Sequence, residues 1–284
     1  MTLVTLNEVL PLERKNCSAL GAFMVWSFDS IFSVVDSAQK MGRPALMVVG
    51  DFEARKYMGG FRMVREMVDC VAKDYDIPVI LHADHFRSFD SISESIESGF
   101  SSVMVDASWR SFEENVAETK RVVEYAHKYN VSVEGELGRL PGNEGDEEVT
   151  NDEAFQTDPE EADIFVKTTG IDALAVSIGT MHGKYTFEPK INIGRLCEIA
   201  KRVSIPLVLH GGSGTPEDKI IDAIHNGIAK INIGTDLLSV TAQTIATQQK
   251  IPDFRYSVGS LFLPARDALQ RNLEYKMELF MAKR

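Results

Sequence analysis

Eight short apolar runs, each followed by a polar or glycine-bearing turn and then a helix-like stretch, constrain this chain more than any other feature. They are Ala19–Val25, Ala45–Val49, Pro78–Leu81, Ser102–Val105, Val131–Leu137, Ala173–Ile178, Pro206–Leu209 and Ala229–Ile233. All are rich in Val, Ile and Leu, and most are continuous rather than alternating. That is the pattern of strands buried on both faces in a parallel sheet covered by helices. The stretches between them are amphipathic: within Phe112–Lys128, residues Val116, Val122, Val123 and Ala126 recur at helical spacing. An open doubly wound sheet shares this periodicity, but eight β–α units are the strand number of a (β/α)8 TIM barrel, so the fold class read here is α/β, a TIM barrel. Thr235–Lys250 and Leu263–Lys283 follow the eighth run as extra C-terminal helices, joined by the turn-rich segment 251–260. No low-complexity linker divides the chain, and residues 1–284 read as one barrel domain.

Composition narrows the function classes. The formal net charge is −12, from 30 basic and 42 acidic residues, and no basic patch interrupts it. Such a surface repels nucleic acid and anionic lipid. No apolar run reaches the roughly 18 to 20 residues of a membrane span, and the amino terminus lacks the charge, apolar stretch and cleavage site of a secretion signal. Three widely spaced cysteines, Cys17, Cys70 and Cys197, form no CxxC pair. They point to a reducing, cytoplasmic setting without a disulfide framework or thiolate zinc site. The irregular acidic stretch 138–159 follows the fifth run. It reads either as a solvated loop or as a mobile loop on the face where barrels carry their chemistry.

Polar residues at strand ends face that chemistry. Run three leads into His82-Ala83-Asp84-His85, run five contains Glu134-Gly135-Glu136, run six leads into Met181-His182-Gly183 and run seven into His210-Gly211-Gly212-Ser213. Four of the six histidines therefore sit at strand ends, while His127 and His225 fall on helices. A single histidine at such a place is more often structural than a ligand. Three converging from separate strands suit a divalent transition metal with an open position, zinc first, with cobalt, manganese or iron also compatible. The ligands read from this pattern are His85, His182 and His210. His82 lies three residues before His85 and is set by alternation on the opposite face. Asp84 is placed as a general acid/base beside the metal, or as a carboxylate orienting a histidine. Glu136 is placed to touch the metal or fix a ligand, and Glu134, one step deeper, to lie in a buried polar network.

Two glycine-bearing turns, 210–214 and 232–236, follow runs seven and eight. Barrels often bind phosphate at these loops through backbone N–H groups and a helix N-terminus. Ser213 and Thr235 add hydroxyl donors, Lys184 is a possible anion contact and Lys230 reads as structural. A metal beside a phosphate site in an acidic protein points to a small sugar phosphate.

These segments, PVILHADH (78–85), VEGELGRLPGNE (133–144), SIGTMHG (177–183), PLVLHGGSG (206–214) and KINIGTD (230–236), resemble in order and spacing those of the class II, metal-dependent fructose- and tagatose-bisphosphate aldolases. The compact length is closer to the tagatose-bisphosphate branch. The resemblance implies a lyase that reversibly cleaves a ketose (bis)phosphate, such as tagatose- or fructose-1,6-bisphosphate. The products would be dihydroxyacetone phosphate and an aldehyde, formed through a zinc-stabilised enediolate. It implies zinc on His85, His182 and His210, with Glu136 at an alternative metal position. Asp84 would exchange a proton with the C4 hydroxyl, and Glu144, moving in with its loop, would handle the proton at C3. Gly183, Lys184, Gly211, Gly212, Ser213, Asn232, Gly234, Thr235 and Asp236 would form the substrate and phosphate side. A monovalent cation, Na+ or K+, would sit near the backbone of Gly183 and Gly211. A homodimer or homotetramer is also implied.

The chain departs from the family pattern at several places. Met24 stands where relatives often carry asparagine, Phe86 follows the Asp-His pair, the loop reads Pro141-Gly142-Asn143-Glu144-Gly145, and Gly234 replaces a polar or small residue. The catalytic set is intact while the rim around the substrate has changed. The alternatives are therefore the same chemistry on a different ketose 1-phosphate, with an acidic or unphosphorylated tail, then a metal-dependent hydrolase, then a non-catalytic accessory subunit. Arg255 and Arg266 are the basic residues considered for a second phosphate.

Overall fold

The computed structural model describes residues 3–144, 147–149, 155–183, 189–252 and 254–283, with backbone only for 142–144 and 147–149. The helices are α1 (Leu10–Lys15), α2 (Phe28–Met41), α3 (Asp51–Tyr57), α4 (Phe61–Ala72), α5 (Phe89–Glu97), α6 (Phe112–Ala126), α7 (Pro159–Thr169), α8 (Ile193–Arg202), α9 (Glu217–His225), α10 (Thr235–Gln248) and α11 (Val258–Leu279). The barrel strands are β1 (Leu20–Met24), β2 (Ala45–Val49), β3 (Val79–Phe86), β4 (Ser102–Val105), β5 (Ser132–Leu137), β6 (Ala173–Val176), β7 (Leu207–Leu209) and β8 (Ile228–Ile233). They form one closed parallel sheet in which β1 pairs with β8 and every other strand with its neighbours in sequence. This is the (β/α)8 barrel that the eight apolar runs imply.

Local chemistry delimits the helices. Ser27 caps α2 by accepting from the Ser30 N–H, and Gly42 closes it in the left-handed region at φ 62°. Ser111 and Glu114 form a capping box on α6, and Asp158 caps α7 ahead of Pro159. α11 begins at Val258, ahead of the expected Leu263, because Ser257 caps it and Pro264 is accommodated inside the helix. Among the described residues no helix is long and apolar enough to cross a membrane.

Two apolar layers position the site. Outside the barrel, Leu81, Ala83 and Phe86 of β3 pack with the helical ring. Inside, Leu20, Ala22, Leu46, Val48, Ile80 and Val208 form a separate core, closed at the amino-terminal end by Leu6 and Leu10. The Leu6 N–H donates to Ser132 Oγ, which ties this plug to β5. Above the inner core, at the carboxyl ends of the strands, the polar side chains of Asp84, His85, His210 and Asn232 line the mouth together with Met24 and Ile233. The stretch after β5, read as irregular, contains a short antiparallel pair, Gly142–Glu144 with Glu147–Val149, and a bridge between Arg139 and Phe155.

Candidate active site

β3 delivers two of the site residues through a break in its own alternation. Ile80 faces the inner core, and Leu81 and Ala83 face the helices, so alternation would turn His85 outward. The ladder to β4 instead shifts register between Ala83 and Phe86, and His85 adopts φ 56°. This left-handed residue swings its imidazole back over the mouth. His82 and His85 are therefore both inside the barrel rather than on opposite faces, His82 deeper and His85 at the opening. β3 also runs through to Phe86 instead of ending at Leu81.

The three ligand candidates converge. His210 Nδ1 lies 2.7 Å from His85 Nε2. The His182 ring centre is 5.0 Å from that of His85 and 5.8 Å from that of His210. One nitrogen from each of the three lies within 4.8 Å of the others. The far nitrogen of His210, Nε2, is 2.8 Å from Glu134 Oε1, which fixes the ring with Nδ1 toward the mouth. Burial, then the neighbouring His85 and Lys230 charges, hold His210 well below the usual histidine range. It stays in the neutral form that coordinates metal. This donor set, imidazoles from three strand ends with one anchored by a carboxylate, fits a divalent transition metal.

Glu136 lies on the other side of His85, its Oε2 3.8 Å from His85 Nδ1. It forms a second three-residue group with His85 and the buried Asp106. Asp106 was not singled out from the sequence, although it directly follows β4 and the strand-end rule applies to it as well as to the histidines. It also pairs with Arg87 at 3.0 Å.

Beneath the histidines runs a chain of ion-pair and hydrogen-bond contacts, buried at its Glu134 and Lys230 end. Lys230 Nζ, fully buried, is ion-paired with Glu134 Oε2 at 2.8 Å and donates to Asn232 Oδ1 at 2.8 Å. The Asn232 amide in turn donates to both carboxylate oxygens of Asp84, at 3.0 and 3.1 Å. His210, Glu134, Lys230, Asn232 and Asp84 are thus linked in sequence. His82 stands beside the chain, with Nδ1 2.7 Å from Ser102 Oγ and Nε2 3.7 Å from Asp84 and 3.8 Å from Glu134. Burial, and then the Lys230 charge, push His82 well below the usual histidine range.

A cleft of about 590 Å³ opens over these groups, lined by Asp84, the three histidines and the backbone-rich turns at Gly183, Gly211, Ser213, Asn232, Gly234 and Thr235. Gly211 is at φ 68°, and a Cβ there would run into the Met181 carbonyl, so the β6 and β7 turns pack backbone on backbone. Two of the expected phosphate-side residues stand behind the cleft wall. The Gly212 N–H is used by the Asn232 carbonyl at 3.2 Å. The Asp236 carboxylate pairs with Lys276 at 2.8 Å, while its N–H donates to Ser213 Oγ at 3.2 Å. The Asn232 side chain is committed to Lys230 and Asp84. Lys184 lies outside the described residues, as does the Glu144 side chain. The stem of the Glu144 loop is tied to the site where the His182 N–H donates to the Pro141 carbonyl at 2.9 Å. Arg266 pairs with Asp29 at 3.6 Å and Arg255 is exposed; neither lines the cleft.

The family model for class II fructose-bisphosphate aldolase matches residues 4–284. The chain belongs to this family. A fructose-bisphosphate aldolase of Staphylococcus aureus is 39% identical across 99% of this chain and 98% of its own length. A probable fructose-bisphosphate aldolase of Bacillus subtilis is 38% identical with the same coverage. The crystal structure of the YdjI aldolase from Escherichia coli K12 superposes with a TM-score of 0.85 at 33% identity, covering 98% of this chain and 97% of that one. The aldolase is thus a carbon–carbon lyase of the metal-dependent class, and its family acts on sugar phosphates.

Proposed function

We propose that this aldolase reversibly cleaves the C3–C4 bond of a ketose 1-phosphate or 1,6-bisphosphate to dihydroxyacetone phosphate and an aldehyde. The observation that carries the reading is the convergence of His85, His182 and His210 beside Asp84, in one mouth with the glycine turns of β7 and β8. Zinc on the three histidines would supply a Lewis acid for the ketone and for the negative charge that cleavage leaves beside it. Other divalent metals suit the same donors, and Glu136 with Asp106 offers the alternative position.

The protein groups do the rest. Asp84, its carboxylate held by Asn232, takes the proton of the C4 hydroxyl. The O–H electrons form the aldehyde C=O, and the C3–C4 pair passes to the three-carbon fragment as an enediolate. Glu144 delivers the proton to C3 that completes dihydroxyacetone phosphate. The N-terminus of α10, with Thr235, Ser213, Gly183, Gly211 and Gly234, receives the phosphate of that half. A sodium or potassium ion beside Gly183 and Gly211 belongs to the same reading, as do one barrel domain over 1–284, a homodimer or homotetramer and a cytoplasmic location. The three free cysteines support that location.

The test is zinc-dependent hydrogen–deuterium exchange at C3 of dihydroxyacetone phosphate, followed by proton NMR after chelation and refilling. Exchange that needs zinc and is lost in Glu144→Ala is the expected result. No exchange by a folded, zinc-loaded protein overturns the reading.

A further inference from the structure

Asp236 is the joint between the β7 turn and the start of α10. Its N–H donates to Ser213 Oγ at 3.2 Å, and its Oδ2 pairs with Lys276 Nζ of α11 at 2.8 Å. Ser213 and Thr235 line the cleft, whereas Asp236 and Lys276 do not. The ion pair therefore stands directly behind two of the groups that face the ligand.

The two helices that meet at this pair are held differently. α10 has one buried side chain, Leu237. α11 buries Leu269, Leu273 and Met277 in the outer core, and its Gln270 amide donates to Asp36 of α2 at 2.7 Å. Lys276 is the neighbour of Met277, and its side chain is 12% exposed against 27% for Asp236. The ammonium thus belongs to the better-anchored helix and restrains the first turn of the other.

That first turn carries an electrostatic conflict. A helix N-terminus attracts anions through its N–H groups and its dipole. It already holds one anion, the Asp236 carboxylate, and a phosphate dianion beside Thr235 and Ser213 meets it as a like charge. Pairing with Lys276 neutralises the carboxylate and keeps it out of the cleft.

We infer that Lys276 is a positioning residue for phosphate: without touching substrate, it neutralises and restrains Asp236, which leaves the α10 N-terminus and Ser213 to the ligand. This rests on the reading proposed above, which seats the phosphate of the dihydroxyacetone phosphate half at these turns.

The test compares zinc-loaded wild type, Lys276→Met, and Lys276→Met combined with Asp236→Asn. C3 exchange gives KM and kcat for dihydroxyacetone phosphate, and calorimetric titration gives Kd for inorganic phosphate. Lys276→Met is expected to raise KM and Kd about tenfold, because the bare carboxylate now opposes the phosphate, with kcat kept within about threefold. Adding Asp236→Asn removes that charge and is expected to return KM and Kd to within about threefold of wild type. A pair that only braces α10 predicts no recovery, since the link to α11 stays broken. Lys276→Gln, which keeps a hydrogen-bond donor for Asp236 but no charge, gives the same comparison if the methionine variant does not fold. Unchanged KM and Kd in Lys276→Met, a loss confined to kcat, or a loss that Asp236→Asn leaves in place overturns the inference and leaves the aldolase reading standing. Absence of C3 exchange in the folded, zinc-loaded wild type overturns both.

Discussion

The Asn232 side-chain amide spans both carboxylate oxygens of Asp84, at 3.0 and 3.1 Å, and is itself held by Lys230 at 2.8 Å. This contact fixes the plane of the one carboxylate placed to meet the C4 hydroxyl. Asn232→Ala is expected to lower kcat for cleavage by about 100-fold with little change in KM, since misplacing a reacting group costs about that much. Asp84→Asn is expected to abolish cleavage while keeping C3 exchange, which does not use the C4 proton. Steady-state kinetics and the NMR assay read both. A raised KM with kcat retained in Asn232→Ala would make Asn232 a phosphate contact instead.

Lys230 and Glu134 form a fully buried ion pair at 2.8 Å, and the same Glu134 anchors His210. Lys230→Met strands Glu134 without its counterion, a change expected to destabilise the fold by roughly 3 to 5 kcal/mol. Glu134→Gln keeps a group beside His210 but removes the charge, and zinc affinity is expected to fall about 10- to 100-fold. Denaturant unfolding and chelator competition measure the two. Unchanged zinc affinity in Glu134→Gln would show that His210 does not depend on this anchor.

The extent to which this site was legible differs from residue to residue. β2 and β4 fall where their apolar runs end in turns, at Ala45–Val49 and Ser102–Val105. The apolar run of β3 ends at Leu81, because hydropathy reads a polar residue as the end of a strand, while the strand itself continues to Phe86. In a barrel mouth the inward face is polar while the strand continues, as His82 and Asp84 show. His85 carries the opposite lesson: alternation points it outward, and only a positive φ, which depends on the register slip against β4, brings it in. The buried role of Glu134 follows from its depth on the strand, whereas Lys230 reads from the sequence only as structural. The partner of Asn232 does not follow, because it is distant in sequence and set by how β8 and β3 meet the polar layer. Asp106 had the same strand-end signal as the histidines but is a carboxylate in an acidic chain, where one more acid stands out little.

His82 and His210 make stability depend on pH in a defined direction. Both are held well below 6.5 in the fold, chiefly by burial, while an unfolded chain binds their protons near that value. Below about pH 6.5 the unfolded state takes up protons that the native state refuses, so the stabilisation present above that pH is lost as pH falls. The slope is about 1.4 kcal/mol per pH unit for each histidine. Zinc-free protein is expected to lose melting temperature from pH 7.5 to 5.5, with a visibly shallower loss in His82→Asn. Equal slopes in thermal melts of the two would show that His82 is protonated as readily in the fold as outside it.

Metal and fold can be separated at His182, which contributes to the three-histidine group but is less buried than His210. A ligand at 100 times its dissociation constant stabilises the folded state by about 2.7 kcal/mol. For a domain of this size that corresponds to roughly 5 to 10 °C in melting temperature. Zinc is expected to raise the melting temperature of the chelated wild type by this amount. His182→Ala is expected to melt within a few degrees of the chelated wild type and to lose most of the zinc-dependent rise, because two imidazoles remain where three held the ion. Scanning calorimetry with and without zinc decides it: an undiminished rise in His182→Ala would place the metal on His85, Asp106 and Glu136 instead.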